Sequence, residues 1–253
     1  MRILISNDDG IQAKGLESLV KAFCAREHTV VVSAPARQQS GMAHALNVGR
    51  PLELIRGEAL AEKYGIEAWA VDGTPTDSVK LYLEALAEEK PDVVVSGINH
   101  GANLATDILY SGTVGAAMEG YLHDMSAAAV SLDIDAEYPY ELAAELVRPF
   151  LEEEMERRRV EKDAPFFLNV NFPARLASTE FAVSRLGRRD YENAFQQEVK
   201  EDGRIFYTVA GKILDSDNGP HTDLYTVDQG GISVTPLHAD LTDYAAIEES
   251  RGK

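Results

Sequence analysis

The sequence predicts an α/β fold whose mostly parallel sheet is covered by helices on both faces. Three observations carry this. Short apolar runs alternate with segments of helical periodicity over the first two-thirds of the 253 residues. The runs are continuous rather than alternating, as in strands buried on both sides. The segments between them are long enough for helical crossovers, which are right-handed in such sheets.

Taken in order, residues 2–6 (RILIS) form the first strand, closed by Asn-Asp-Asp-Gly. Residues 14–26 place Leu16, Leu19, Val20 and Phe23 on one helical face, with Cys24 among them as a core position. The β-branched run at 29–34 is a buried strand stopped by Pro35. A short strand follows at 66–71. A helix over 76–88 has Val79, Leu83 and Leu86 on one side, and a strand at 92–96 follows Pro91. A Gly- and Asn-rich loop then leads to a small-residue helix from about Thr113 to Leu122. Residues 126–132 are a strand, 139–159 a long helix and 166–172 a strand. After Pro173 the pattern changes. Short strand-like pieces at 181–186, 204–210 and 231–236 are separated by Asp, Asn, Gly and Pro, as in hairpins that return to the sheet. Residues 1–184 are therefore expected to be the core and 185–253 an extension that returns to it, within one structural domain.

Composition narrows the function classes. The chain carries 42 acidic and 24 basic side chains, a formal net charge of −18. Such a surface repels nucleic-acid backbones and anionic membranes, so neither polymer nor membrane is an expected partner. No stretch approaches the roughly 18 uncharged apolar residues of a membrane span. The opening apolar run is too short for a signal peptide. A chain of this length buries enough surface to fold without disulfides. Its single cysteine forms no intramolecular pair, and a cytoplasmic location is the expectation.

In an open α/β sheet, ligands bind beyond the carboxyl ends of the strands. Three loops there are unusually polar. Asn7-Asp8-Asp9-Gly10 sets two carboxylates side by side, which repel unless a positive group joins them. A divalent cation is one such group, and a turn with a helix N-cap is the other reading. The second loop, 35–41, offers the Ser40 hydroxyl beside Gly41, which alone is an ordinary loop signal. The third, 96–113, offers the Asn99 amide oxygen, then Ser111-Gly112-Thr113 opening a helix of small residues. Free N–H groups at such a start favour an anion, here a phosphate, although an ordinary capped helix has the same sequence. Asp8, Asp9, Ser40 and Asn99 are all oxygen donors, which suits Mg²⁺, Mn²⁺ or Ca²⁺ rather than structural zinc.

Two other features point elsewhere. Val71-Asp72-Gly73-Thr74 has the end of a haloacid-dehalogenase nucleophile motif, but Ala70 stands where the nucleophile would be; a turn and helix start lining the site fits better. No Gly-x-Gly-x-x-Gly follows the first strand, so dinucleotide binding has no support. His100 lies in the third loop, either touching substrate or solvated.

Several segments together resemble the stationary-phase survival protein E (SurE) family of metal-dependent 5′/3′-nucleotidases. They are ILISNDDG at 3–10, AP and SG within 34–41, VDGTPTDSV at 71–79, SGINHGANL at 96–104, YSGTVGAAMEG at 110–120, NVNFP at 169–173 and ISVTPLHADLT at 232–242. The resemblance implies a Rossmann-like three-layer core with a C-terminal β-hairpin extension, about residues 185–230, that swaps between subunits of a homodimer or homotetramer. It implies one divalent ion per subunit, Mg²⁺ or Mn²⁺ (Ca²⁺ in a crystal), on Asp8, Asp9, Ser40 and Asn99. It implies phosphate contacts from Ser111, Gly112 and Thr113, with Asn99. Arg37-Gln38-Gln39 departs from the Arg-Asn-Arg or Arg-Asn-Gln of many relatives, and His100 replaces a residue that is often basic. Neither removes a metal ligand.

The expected reaction is hydrolysis of nucleoside 5′- and 3′-monophosphates, with Asp8, Asp9 and Asn99 as catalytic residues. The alternatives are an exopolyphosphatase or general phosphatase using the same site, a non-catalytic metal-dependent nucleotide-binding module, and a purely structural metal site.

Overall fold

The computed structural model describes residues 1–192, 195–209, 211–214 and 218–251. Its strands, in chain order, are β1 (Arg2–Ser6), β2 (Thr29–Pro35), β3 (Leu54–Arg56), β4 (Glu67–Val71), β5 (Val93–His100), β6 (Ser126–Leu132), β7 (Phe167–Phe172), β8 (Phe181–Val183), β9 (Asp190–Glu192), β10 (Phe195–Val199), β11 (Ile205–Val209), β12 (Lys212–Leu214) and β13 (Ile232–Pro236). The helices are α1 (Lys14–Cys24), α2 (Glu58–Tyr64), α3 (Pro75–Leu81), α4 (Gly112–Leu122), α5 (Tyr140–Glu161), α6 (Asp223–Asp228) and α7 (Tyr244–Arg251).

Nine strands form one sheet in the order β3-β4-β2-β1-β5-β6-β7-β13-β8. From β4 to β7 every pairing is parallel. β3 pairs antiparallel at one edge, and β13 runs antiparallel beside β7 before pairing parallel with β8. This is an α/β fold with a mostly parallel sheet and C-terminal antiparallel strand pairs, as the sequence predicts.

The pleat divides the core. Ile3, Ile5, Val30, Val32, Val93 and Val95 point towards α1 and α5. Leu4, Val31, Val94, Ala127 and Phe167 point the other way, towards α3 and α4. Each strand is apolar on both faces because each face meets a helical layer, which is why the sequence shows runs and not alternation.

Several expectations need correcting in detail. The third loop begins at Gly101 rather than Ser96, because β5 runs on to His100 through a register shift between Ser96 and Asn99. Gly97 makes this possible: its φ of +143° disfavours other residues, and a Cβ there would collide with the Val130 carbonyl oxygen. The helix expected over 76–88 is α-helical only to Leu81 and continues as a π-helical turn at Tyr82–Leu86. Cys24 is half-buried at the end of α1 rather than enclosed. The sequence reading missed β3 and α2, a 3₁₀ turn at Ala105–Tyr110, β9, β10 and β12 in the extension, α6 and α7. The missed pieces are short or lie outside the main sheet and its covering helices, so little apolar periodicity marks them.

Beyond β8 the chain leaves the sheet, pairs β10 with β11 and β9 with β12, and re-enters as β13. The β10–β11 hairpin is exposed along its length, including Phe195, Val199, Ile205, Tyr207 and Val209. No helix among the described residues is long and apolar enough to cross a membrane.

Candidate functional site

β1 lies between β2 and β5, so the loops leaving these three strands meet at one edge of the sheet. Asn7 clasps the first of them: its Nδ2 donates to the Gly10 carbonyl at 2.9 Å and its Oδ1 accepts the Gly10 N–H at 3.2 Å. Gly10 takes a φ of +96°, and a Cβ there would stand 3.1 Å from the Arg37 backbone. That close approach lets the second loop lie on the first. Gln39 N–H donates to the Asp8 carbonyl at 2.7 Å, and Ile11 N–H to the Pro35 carbonyl at 2.9 Å.

Asp9 ties the three loops together. Its Oδ2 accepts the His100 backbone N–H at 3.0 Å, and its Oδ1 receives Gln38 Nε2 at 3.4 Å. The same Gln38 nitrogen donates to Ser40 Oγ at 3.1 Å. Asn99 turns its Nδ2 to the Gly101 carbonyl at 2.8 Å. Ser40 is exposed, Asp9 and Asn99 are half-buried, and Asp8 is 4 % exposed.

The start of α4 packs against Asp8. Ser111 is the N-cap, its Oγ accepting the Val114 N–H at 3.2 Å. Gly112 is needed for closeness, since a Cβ there would lie 2.9 Å from Asp8 Cβ and 3.0 Å from Pro75 Cγ. Thr113 is fully buried and donates its hydroxyl to Asp8 Oδ1 at 2.6 Å. The helix start that the sequence reading offers to a phosphate is thus engaged with a carboxylate. Burial pushes the Asp8 carboxyl up to about 6. The Thr113 hydrogen bond opposes this shift, and the neighbouring Asp9 charge adds to it.

Residues outside the sequence-predicted set hold these loops. Asn103 N–H donates to Asn171 Oδ1 at 2.8 Å, and its carbonyl accepts Asn171 Nδ2 at 3.0 Å and Asn169 Nδ2 at 2.9 Å. Its own amide donates to Ser131 Oγ at 2.8 Å. Asn169 and Asn171 are fully buried on β7. Two asparagines spaced by two in an otherwise apolar strand were the available signal, because a buried amide has to find partners. Asp223 accepts the Ala105 N–H at 2.7 Å and the Gly187 N–H at 2.8 Å. Asp107 accepts Arg189 Nη1 at 3.1 Å and the Tyr191 hydroxyl at 2.6 Å. Burial and that bond push the Tyr191 hydroxyl up to about 12.

On the far rim, Arg37 and Arg50 both reach the Asp72 carboxylate. The Asp72–Asp77 segment is indeed a helix start, with a Thr74–Asp77 capping box and Pro75 in its first turn. His100 pairs Nδ1 with the Tyr140 hydroxyl at 2.8 Å.

Among the described residues, no group of three or more His, Cys, Asp or Glu side chains could hold a metal ion. The donors here are instead two carboxylates with a hydroxyl and an amide, the mixture hard cations accept. The arrangement fits a cation in two respects. A nearly enclosed carboxylate, Asp8, has hydrogen-bond donors but no ion-pair partner among the described residues. The Gln38 amide also places an N–H donor between Asp9 and Ser40, where converging oxygens attract positive charge.

The chain is similar to known proteins over nearly its whole length. The family described as "Survival protein SurE" matches residues 3–193. A protein of Gloeobacter violaceus named "5′-nucleotidase SurE" is 44 % identical over 247 residues, 96 % of this chain and 91 % of that one. A protein of the same name from Caldanaerobacter subterraneus subsp. tengcongensis is 39 % identical over 252 residues, 98 % of this chain and 95 % of that one. The crystal structure of the SurE protein of Aquifex aeolicus superposes with a TM-score of 0.81 at 33 % identity, covering 100 % of this chain and 99 % of that one. With sequence, fold and loop order in agreement, the chain belongs to the SurE family.

Proposed function

We propose that this chain is a metal-dependent phosphomonoesterase that hydrolyses nucleoside 5′- and 3′-monophosphates to nucleoside and phosphate. One observation carries the reading: a buried aspartate and its neighbour, drawn up with oxygen donors from two further loops, stand against the start of a helix. Its relatives named as 5′-nucleotidases support the substrate class.

In this reading Asp8, Asp9, Ser40 and Asn99 hold one divalent ion, Mg²⁺ or Mn²⁺. When bound, that ion offsets phosphate charge and acidifies water. The rest falls to the chain. Thr113 orients Asp8 through its hydroxyl. Asp8 or Asp9 takes a proton from the attacking water at a carboxylate oxygen. Asn99, the Ser111 side chain and the backbone N–H groups of Gly112 and Thr113 face the phosphoryl oxygens, where fixed dipoles stabilise developing charge. Residues 185–253 act as an appendage to the 1–184 core. The exposed apolar side chains of the β10–β11 hairpin support its use between subunits of a homodimer or homotetramer.

The test is phosphate release from 5′- and 3′-nucleoside monophosphates and polyphosphate, with Mg²⁺, with Mn²⁺ and with EDTA. Metal-dependent release favouring nucleotides is expected. Folded protein that binds nucleotide without release overturns the reading. Asp9→Ala is expected to stay folded and lose activity by roughly two or more orders of magnitude, and near-normal turnover would remove Asp9 from the site.

A further inference from the structure

After Thr113, α4 is built of small and apolar residues with one carboxylate among them, Glu119, in its third turn. The side chain is only 4 % exposed. A carboxylate withdrawn from water is costly without partners, so what it holds is informative. Its Oε2 accepts His44 Nε2 at 2.7 Å, and its Oε1 accepts Lys80 Nζ at 3.0 Å. Burial works against the charge, and these two hydrogen bonds prevail over it. Lys80 comes from α3 and also reaches Glu84 at 2.7 Å. His123, just past α4, sets Nδ1 2.9 Å from the Glu119 carbonyl oxygen and Nε2 3.0 Å from Glu84. His44 comes from elsewhere. It lies in the irregular chain between β2 and β3, four residues after Ser40.

We propose that Glu119 is a positioning residue for the metal site: through His44 it clamps residues 41–47 onto α4 and so fixes where Ser40 presents its hydroxyl. The inference rests on the metal-dependent phosphomonoesterase reading and adds to it a residue remote from the ion.

Three features carry it. The first is the bed on which the loop lies. Ser111, Gly115 and Glu119 recur every four residues and share one face of α4. Ser111 caps the helix at the site. Gly115 leaves room for the Ala43 carbonyl oxygen, which a Cβ would strike. Glu119 then takes His44, so the loop follows the helix from the site to the clamp. The second is backbone strain. Ala43 has a φ of +51°, a state that residues other than glycine hold only with support from their surroundings. Its N–H donates to the Tyr110 carbonyl at 3.0 Å, one residue before the helix cap. The third is the division of labour along the loop. Beyond His44, Thr74 Oγ1 donates to the Ala45 carbonyl at 2.7 Å, and Asn47 donates its N–H and Nδ2 to Asp77 at 3.0 and 2.6 Å. These bonds hold the far end of the loop to the start of α3. His44 is the side-chain anchor nearer to Ser40. Ser40 itself is exposed, and the Gln38 nitrogen that reaches it is shared with Asp9. Its place is therefore set by the backbone that carries it.

The test is Mn²⁺ affinity of metal-free protein, measured by calorimetry. Glu119→Gln keeps the shape of the side chain and removes its charge, and His44→Ala opens the clamp from the loop side. Each is expected to weaken Mn²⁺ binding about three- to tenfold, less than the roughly 10–100-fold typical of a direct partner of a metal ligand. In a Ser40→Ala background neither substitution adds a further loss, because the effect passes through Ser40. His123→Ala, whose hydrogen bonds go to Glu84 and the Glu119 carbonyl, leaves the affinity unchanged. Turnover of Glu119→Gln recovers towards wild type at saturating Mn²⁺, since added ion fills a weakened site but does not replace a lost catalytic group. Should Glu119→Gln fail to fold, His44→Ala, on the loop, carries the test. Unchanged Mn²⁺ affinity in folded His44→Ala, or the same loss with and without Ser40, overturns the clamp. Wild-type protein that binds no Mn²⁺ overturns the metal-dependent reading itself, and the clamp with it.

Discussion

Replacing Thr113 by Val removes one hydroxyl and almost no volume. That hydroxyl donates at 2.6 Å to Asp8 Oδ1, and both residues are buried. A hydrogen bond to a charged group contributes about 1.5–3 kcal/mol, and the carboxylate left behind is desolvated without that donor. At neutral pH without metal the variant is expected to lose roughly 2–3 kcal/mol. For a chain of this size that lowers the melting temperature by about 4–12 °C. A divalent cation supplies the charge that Asp8 then lacks, so the gap between variant and wild type narrows with saturating Mn²⁺. The assay is thermal unfolding of both proteins in EDTA and in Mn²⁺. Equal melting temperatures in EDTA would refute the claim that Thr113 stabilises a charged Asp8. A gap that ignores Mn²⁺ would refute the claim that the ion meets that carboxylate.

Other consequences follow the same physics. Gly15 has no room for a Cβ, which would strike the Ile98 carbonyl oxygen. Gly15→Ala should push α1 off β5, cost about 1–3 kcal/mol in denaturant melts, and lower turnover by displacing Asn99. Asn171→Leu removes two hydrogen bonds to residue 103 and should destabilise by about 1–3 kcal/mol, which urea titration checks. Glu119 is nearly enclosed. Burial alone would raise its carboxyl, but hydrogen bonds from His44 and Lys80 prevail and hold it below the usual 4.5. Its stabilisation is therefore complete above pH 4.5 and lost as pH falls through the lower folded value. Glu119→Gln should flatten that acid-side loss in pH-dependent melts.

The parallel sheet was legible because β1, β2, β5, β6 and β7 are buried on both faces, and double burial writes itself as an apolar run. The meeting of the first three loops was legible from residue chemistry, since adjacent aspartates at a strand end are costly without a partner. What Asp8 touches was not legible. Thr113 lies 105 positions away along the chain, and only the packing of α4 decides whether its hydroxyl faces solvent or a carboxylate. Asn169 and Asn171 escaped as functional candidates because a β-strand asparagine carries no sign of what it holds. β3 and α2 escaped because a three-residue edge strand and a two-turn helix have too few positions for a period to emerge.

The excursion between β8 and β13 leaves and re-enters the sheet at neighbouring points. Ser184 N–H bonds to the Val234 carbonyl, and Arg185 N–H to the His221 carbonyl. Its ends are therefore fixed by the core, whatever happens at its tip near residues 200–204. Lengthening a loop whose ends are already held costs only about 0.6 kcal/mol per doubling. The candidate metal donors all come from the first 99 residues, in loops stitched to one another. Evolution can thus redraw the hairpin tip, and with it whatever the tip meets, while the register of the catalytic strands stays unchanged.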